Sequence, residues 1–469
     1  MQKFGAQGIF IIVNIILARL LTPDDFGLVG MLAIFIALSQ VLSNAGFNTA
    51  LIQKLNVNEQ DYSSVFFINL FISILLYCLL FLLSPLISKF YHQPILVPLT
   101  RVLSLVFVIN SFSYVQTAKL QRNVRFKTLM YINIPSTIIG GIISVAMAFL
   151  GFGVWSLVAM QLITNFSYAV QIWIYSKWKP KFEFNLQSVR ELFSFGSKIA
   201  LSNIIHFTYM NIYPVILGRC FPLSTVGYYQ TASKFTMTPG DTVMIALKNA
   251  VFPIFSTLQN DNNNLKKSFR IGLRQVTFFL FPLFTLMGVL ADPLIQFVFT
   301  KKWLPAVPYF RWLCIVAVFL PLSTYNTQLI NVKGKSALYL RLNILEKSIF
   351  FIGIVLSIPF GISILLAVQA ISAVMIYCIN SFISTRLIEY SAIEQIGDIL
   401  PSILLSLVIG LGIYFLDSQI TGLSNLLRLF YGFILGGGTY WVTSRYIGLT
   451  SYKELAYLYR TRFSRKVQP

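Results

Sequence analysis

The run VFFINLFISILLYCLLFLLS at residues 65–84 contains no charged residue, no proline and no glycine. A helix of about 20 apolar residues spans the hydrocarbon core of a bilayer, which is roughly 30 Å thick. The rest of the chain has the same character, because 56% of its 469 residues are hydrophobic, 11% are charged and the mean hydropathy is +0.74. Soluble domains carry about 25% charged residues. The sequence therefore predicts a protein whose solvent is lipid.

Further runs of this kind bring the number of predicted membrane spans to fourteen. Pro239, Gly240 and Asp241 interrupt the eighth span, so twelve or thirteen spans are the alternative. Helices and closed barrels alone satisfy their backbone in lipid, and runs of this length exclude a barrel. The predicted fold class is an all-α, polytopic membrane helical bundle. The spans are predicted at residues 4–21, 26–46, 65–84, 95–116, 129–150, 152–175, 196–218, 226–254, 276–299, 307–330, 338–359, 362–385, 399–416 and 427–446.

Basic residues outnumber acidic ones by 36 to 15, which gives a net charge of +21 and a pI near 9.8. In a membrane protein such an excess marks the cytoplasmic loops, so it indicates orientation and not binding to nucleic acid. With the N-terminus inside, 26 of the 36 basic residues fall on the cytoplasmic side and eight on the other. Both termini and the large basic loops are therefore predicted to be cytoplasmic.

Residue types that are common in catalytic and metal sites are scattered along the chain. There is no Gly-rich phosphate loop and no Ser/His/Asp order, so no catalytic residue and no enzyme activity is predicted. The cysteines stand alone in apolar runs and the histidines lack metal-ligand spacing, so neither a disulfide framework, a metal site nor a cofactor is predicted. These residues are Cys78, Cys220, Cys314, Cys378, His92 and His206.

An internal repeat is indicated by residues that recur at nearly constant offsets. Six spans recur, which predicts two six-helix lobes, 1–176 and 196–388, joined by a basic linker at 177–195. Two further helices at 389–447 and a basic cytoplasmic tail at 448–469 complete the predicted organisation. The matching pairs are Leu17 and Leu217, Arg19 and Arg219, and Gly27 and Gly227 at an offset of 200, with NVRFK (123–127) and NVKGK (331–335) at an offset of 208.

Five stretches resemble, in their order and spacing, the polysaccharide transporter family, the Wzx-like, colanic-acid and capsule exporter branch of the multidrug/oligosaccharidyl-lipid/polysaccharide exporter superfamily. They are ARLLTPDDFGLVG (18–30), LSNAGFNTALIQK (42–54), VGYYQTASKF (226–235), AVFPIFSTLQND (250–261) and KKWLPAVPYFRWLC (301–314).

That resemblance implies a V-shaped pair of six-helix lobes around a central cavity. It also implies a flippase of the bacterial inner membrane, which moves undecaprenyl-diphosphate-linked oligosaccharide from the cytoplasmic to the periplasmic leaflet. The oligosaccharide would be a repeat unit of O-antigen, capsule or exopolysaccharide. Membrane lipids and the glycan polymerase machinery are the further partners that it implies.

Ionisable residues inside the spans are the candidate substrate-binding residues, because a charge in lipid costs about 2.5–3.5 kcal/mol on insertion scales. Lys234, Asp241 and Lys248 are spaced by seven, which places them on one stripe of the eighth helix. Such a stripe would form a cationic wall that attracts a pyrophosphate. The alternative is that Asp241 pairs with a lysine, or that the lysines extend to the two interfaces.

Arg19 and Arg219 end spans one and seven, close to the predicted periplasmic side. Two pseudo-symmetric arginines would hold a diphosphate from both sides, each with bidentate geometry. The family resemblance gives this role to arginines of the first helix in related lipid flippases, and Arg19 is the matching position. Anchoring at the membrane interface is the alternative for both residues.

Two other functions remain open from sequence alone. A drug or cation antiporter of the same superfamily would need anionic cavity residues, for which Asp241 and Asp292 are the candidates. A membrane polysaccharide polymerase or ligase would need a large periplasmic loop, and no predicted loop on that side exceeds roughly two dozen residues.

Overall fold

A computed structural model describes residues 2–420 and 422–464, without the side chains of residues 2–4, 6, 245–250, 252, 385 and 458–464. All regular elements in these ranges are helical, which confirms the predicted all-α class. Short 3-10 turns cover Lys301–Ala306, Ile358–Phe360 and Arg386–Ile388. The α-helices are α1 (Gln2–Leu20), α2 (Pro23–Asn44), α3 (Phe47–Gln53), α4 (Glu59–Tyr91), α5 (Leu96–Leu103), α6 (Leu105–Arg122), α7 (Phe126–Phe149), α8 (Val154–Ser176), α9 (Leu186–Cys220), α10 (Leu223–Thr257), α11 (Asn262–Val289), α12 (Ala291–Phe299), α13 (Val307–Val332), α14 (Ser336–Ser357), α15 (Ile362–Thr385), α16 (Ala392–Gln419), α17 (Asn425–Tyr446) and α18 (Thr450–Ser464).

Within the described part of the chain, ten helical segments are long and apolar enough to cross a membrane. Helix α4 is one of them, and it contains the apolar run at residues 65–84. The chain is therefore a multi-pass membrane helical bundle. Four of the predicted spans, those on α1, α9, α10 and α17, lie outside this set, so the count of fourteen stays a prediction.

Local sequence signals set the starts of several helices. Thr22 caps α2: its Oγ1 accepts a bond from the Asp25 amide at 3.3 Å, and its own amide donates to Asp25 Oδ2 at 2.9 Å. The same reciprocal capping box starts α4 and α16. Each box satisfies two of the backbone donors that a helix start leaves unpaired.

Helix α10 runs without a break from Leu223 to Thr257, so the predicted interruption at Pro239 and Gly240 is wrong. Proline lacks one backbone donor, which removes a single bond of the helical ladder. A membrane helix tolerates one such loss, because neighbouring groups and small local adjustments satisfy the carbonyl that the proline leaves free.

The chain divides into two compact units, Met1–Gln230 and Thr231–Pro469, and the division falls within α10. In the first unit α7 packs on α1 and α8, α6 packs on α4 and α8, and α9 packs on α2, α3 and α4. In the second unit α11 packs on α13, α16, α17 and α18, and α15 packs on α13 and α14. The predicted lobe boundaries stay a prediction.

Residues 177–185, within the predicted linker, lie against the N-terminal end of α4. Trp178 Nε1 donates to Glu59 Oε2 at 2.6 Å. The amides of Lys181 and Asn185 donate to the hydroxyls of two serines, Ser63 and Ser64, at 3.0 and 2.9 Å. We call residues 177–185 the docked segment, and helix α9 begins directly after it.

Helix α9 then crosses the turn between α2 and α3 so closely that the two backbones are in contact. Ala45 and Gly46 form this turn in the left-handed region, with φ of 44° and 74°. A Cβ on Gly196 would lie 2.7 Å from the Ala45 carbonyl oxygen, and a Cβ on Gly46 would collide with the Gly196 carbonyl. Glycine on both sides is therefore required for this crossing.

Candidate functional site

The two predicted arginines occupy equivalent places in the fold. Arg19 lies in the last turn of α1 and Arg219 in the last turn of α9. Both side chains are exposed. In each case a short turn follows and the next helix begins, α2 at Pro23 and α10 at Leu223.

The starts of α2 and α10 pack against each other through two glycines. A Cβ on Gly27 would lie 2.5 Å from the Leu223 carbonyl oxygen, and a Cβ on Gly227 would collide with the Pro23 carbonyl. Positions 27 and 227, and positions 23 and 223, are related by the same offset of 200. The contact is therefore reciprocal, which supports the repeat register that paired Arg19 with Arg219.

Gly218, next to Arg219, brings the end of α9 close to α2 and α4 in the same way. A Cβ on Gly218 would lie 2.8 Å from Met31 Cγ and 2.9 Å from Tyr91 Cε1. Close approach of backbones at small residues is the usual way in which membrane helices pack. The backbone that carries Arg219 is thus fixed on α2 and on the C-terminal end of α4.

Arg219 contacts two side chains at that end of α4. Its Nη1 lies 2.8 Å from His92 Nδ1, and its Cζ lies 5.5 Å from the centre of the Phe90 ring. A guanidinium has donors and no acceptor, so His92 Nδ1 accepts this bond and carries no proton. His92 is exposed and ends α4 in the left-handed region, with φ of 56°.

The candidate stripe on α10 is described only in part. Lys234 is exposed and Asp241 is half-buried. Seven residues of helix separate them by roughly 10 Å along the axis. No ion pair of Asp241 is found among the described side chains, and the side chain of Lys248 lies outside them. The role of the stripe therefore stays a prediction.

Asp292, a candidate for a cation antiporter, has a basic partner. Arg311 Nη2 lies 2.5 Å from Asp292 Oδ2, and the side chains are 46% and 49% exposed. An arginine at this distance neutralises the carboxylate. Within the described residues, no group of three or more His, Cys, Asp or Glu side chains is placed to hold a metal ion.

Glu346 on α14 is a candidate that the sequence reasoning missed. Asn380 Nδ2 donates to Glu346 Oε1 at 2.5 Å and to Ser323 Oγ at 2.6 Å. Asn380 is fully buried, and Glu346 is half-buried. The sequence carries a signal for it, because Glu346 is an ionisable residue inside the predicted span 338–359.

Several basic residues that the sequence analysis used only to predict the orientation in the membrane also form ion pairs that stabilise the fold. Arg270 Nε and Arg274 Nη2 lie 2.7 and 2.5 Å from the carboxylate of Asp398, and Tyr390 OH donates to the same carboxylate at 2.5 Å. Burial, with the bond to Asp398, raises the pKa of the Tyr390 phenol well above its ordinary value. Arg274 also pairs with Glu454 at 2.7 Å, which ties α18 to α11.

Arg122 closes the end of α3 in a similar way. Its guanidinium donates to the carbonyls of Leu51 at 2.7 Å and Leu55 at 2.6 Å, and also to that of Lys54. The last carbonyls of a helix have no partner within the helix. Arg122 therefore acts as a side-chain cap from α6.

A profile of the polysaccharide biosynthesis protein family matches residues 16–308 of the 469. The chain therefore belongs to that family. It is 29% identical over 303 residues to the teichuronic acid biosynthesis protein TuaB of Bacillus subtilis, in a match that covers 64% of this chain and 62% of TuaB. It is 26% identical to the succinoglycan biosynthesis transport protein ExoT of Rhizobium meliloti, over 72% of this chain and 69% of ExoT. Identity to the lipopolysaccharide biosynthesis protein WzxC of Escherichia coli is 25%, over 74% and 71%. The chain thus spans roughly two thirds of the length of these relatives.

Among solved structures, the lipid II flippase MurJ in an inward closed conformation matches with a TM-score of 0.75 and 14% identity, over 95% of this chain and 98% of MurJ. A multidrug resistance MATE family transporter of the MOP superfamily matches with a TM-score of 0.63 and 16% identity, over 82% and 96%. At such low identity these matches establish the fold alone.

Proposed function

We propose that this protein is a flippase for undecaprenyl-diphosphate-linked oligosaccharide. It moves a repeat unit of O-antigen, capsule or exopolysaccharide from the cytoplasmic to the periplasmic leaflet of a bacterial inner membrane, by alternating access, and it is not an enzyme. One observation carries the proposal: in a membrane bundle of the polysaccharide biosynthesis family, two arginine-bearing turns pack reciprocally through Gly27 and Gly227. The glycan polymerase machinery is its proposed partner.

Arg19 and Arg219 are the proposed ligands of the diphosphate. A guanidinium binds phosphate oxygens in a bidentate manner, and both side chains are exposed. Lys234 and Lys248 are proposed to attract the anion as point charges, with Asp241 restraining them. The names of the relatives agree with this substrate class, since they refer to teichuronic acid, succinoglycan and lipopolysaccharide biosynthesis.

A cation antiporter is the second candidate function. Asp292 lends it little support, because Arg311 neutralises that carboxylate. Glu346 favours it more, as a half-buried carboxylate in a membrane-spanning helix. The Glu346→Gln variant separates the two functions: an antiporter loses efflux of a cationic dye, whereas a flippase transports no dye before or after the substitution.

The direct test is transfer of an undecaprenyl-diphosphate-linked oligosaccharide across liposomes that contain the purified protein. Loss of the glycan's accessibility to an external lectin measures the transfer. A charge-assisted bond contributes about 1.5–3 kcal/mol, so Arg19→Gln and Arg219→Gln should each weaken binding about ten- to a hundredfold. Lys301→Gln, an exposed basic residue on the same predicted side, is the matched control and should behave as wild type. Wild-type protein that transfers no lipid would refute the proposal.

A further inference from the structure

We propose that His92 controls Arg219: the neutral imidazole holds the arginine back from the diphosphate, and protonation of the imidazole releases it. This inference rests on the proposed function, in which Arg219 binds the diphosphate. The observation behind it is the 2.8 Å contact between Arg219 Nη1 and His92 Nδ1.

The contact exists in one protonation state only. Arg219 has no acceptor, so His92 Nδ1 accepts and the proton of the neutral ring resides on Nε2. A proton on Nδ1 removes that acceptor and places two cations in contact. A phosphate oxygen competes for the same guanidinium donors, because it also accepts charge-assisted bonds. His92 and the diphosphate therefore compete for binding to Arg219.

The backbone of His92 supports a role for its side chain. Its φ of 56° and ψ of 36° lie in the left-handed region, and its amide bonds to the carbonyl of Lys89 at 3.4 Å. The next amide, of Gln93, bonds to the Ser88 carbonyl at 3.1 Å, which completes a helix-ending turn. Glycine is the usual residue at such a position. A histidine there accepts backbone strain and places its ring against Arg219.

Histidine suits the role because of the groups around it. Lysine and arginine stay charged, and carboxylates stay ionised, over the range of about pH 5 to 8, in which an imidazole ordinarily titrates. Arg101 is engaged elsewhere, since its Nε donates to Ser84 Oγ at 3.0 Å. The charged groups on the helix ends named here include Lys89 on α4, Arg101 on α5, Arg219 on α9, Asp24 and Asp25 at the start of α2, and Arg19 at the end of α1.

The consequence for transport concerns release of the substrate. His92 lies on the predicted periplasmic side, where the flipped lipid leaves. A neutral imidazole takes up one edge of Arg219 and so weakens its hold on the diphosphate. A protonated imidazole frees the arginine and adds a second positive charge, so the diphosphate binds more tightly as the pH falls.

Two variants separate the two states. His92→Asn keeps an acceptor, because Asn Oδ1 occupies the place of His Nδ1, and asparagine tolerates the left-handed backbone. His92→Gly removes the acceptor and suits the same backbone. The probe is undecaprenyl-diphosphate-linked monosaccharide in nanodiscs, whose phosphates are both esterified and keep a constant charge.

Wild-type protein should bind this probe about three- to tenfold more tightly at about pH 5.5 than at about pH 7.5. His92→Asn should bind weakly and His92→Gly tightly, each with the same affinity at both pH values. A pH dependence that persists in His92→Asn overturns the inference.

NMR of the imidazole nitrogens tests the contact without any substrate. The chain has two histidines, so His206→Gln leaves His92 as the one imidazole signal. The ring should be the Nε2–H tautomer at neutral pH, and the share of the Nδ1–H tautomer should rise in Arg219→Ala, because the donor that selects the Nε2–H form is removed. An unchanged tautomer ratio overturns the inference alone. If Arg219→Ala instead binds the probe as wild type does, the proposed function of Arg219 fails first.

Discussion

Replacing Gly27 with alanine should force apart the turns that carry Arg19 and Arg219. The added Cβ would lie 2.5 Å from the Leu223 carbonyl oxygen and 2.9 Å from Leu223 Cδ1. The side-chain methyl can rotate away, but the carbonyl belongs to the first turn of α10 and moves only with the helix. Overpacking of this kind typically costs about 1–3 kcal/mol.

A control substitution of the same chemistry isolates that contact. Gly438 lies within α17, and a Cβ there meets no atom within 4 Å. Both substitutions carry the same gain in helix propensity, about 1 kcal/mol for alanine over glycine. The free energy of unfolding of Gly27→Ala should therefore lie about 1–3 kcal/mol below that of Gly438→Ala.

Denaturant unfolding in one detergent, followed by tryptophan fluorescence, measures the difference. Gly227→Ala should behave as Gly27→Ala does, because the contact is reciprocal. The double variant should lose less than the sum of the two, since once the turns have separated the second methyl has nothing left to displace. If Gly27→Ala is as stable as Gly438→Ala, the close approach of α2 and α10 is refuted, and with it the pairing of the two arginines.

Three other predictions test orientation and the charged contacts. Reporter fusions after Lys181 should report a cytoplasmic location and those after Lys301 a periplasmic one; the opposite result would invert the predicted topology. Asp398→Asn should lower the free energy of unfolding by about 2–4 kcal/mol, because Arg270 and Arg274 both lose a charged partner. Asp417 pairs with Arg428 alone among the described arginines, at 2.5 Å, so Asp417→Asn should lower it by about 1–2 kcal/mol; equal losses in a denaturant titration would contradict this. Arg122→Gln should speed hydrogen exchange in the last turn of α3, where carbonyls lose their cap, and unchanged exchange would show that the cap does not stabilise α3.

Most membrane-spanning helices could be predicted from the sequence, because the hydropathy of a segment depends on its own residues and not on its partners in the fold. The run at 65–84 identifies α4 without reference to any other segment. The continuity of α10 could not be predicted from Pro239 alone, because the loss of one backbone bond does not by itself decide whether a helix ends. The docked segment was missed for a different reason: Trp178 and Glu59 are 119 positions apart, and no local pattern joins them.

The candidate site shows the same limit. An offset of 200 paired Arg19 with Arg219, because a repeat is visible in sequence. The partner of Arg219 was not visible, since His92 is 127 positions away and was considered only as a metal ligand. Glu346 could have been found, because a carboxylate within an apolar span is unusual wherever it occurs.

The crossing of Gly46 and Gly196 also has a consequence for the order in which this part of the fold can form during synthesis. The two residues are about 150 positions apart, and a ribosome adds about 5–20 residues per second, so roughly 8–30 s pass between their synthesis. During that time α2 and α3 are already made, while the helix that covers their turn is not. Nascent chains ending before residue 186 should therefore insert into the membrane with this backbone surface uncovered, and chaperones or the insertion machinery must shield it until α9 arrives.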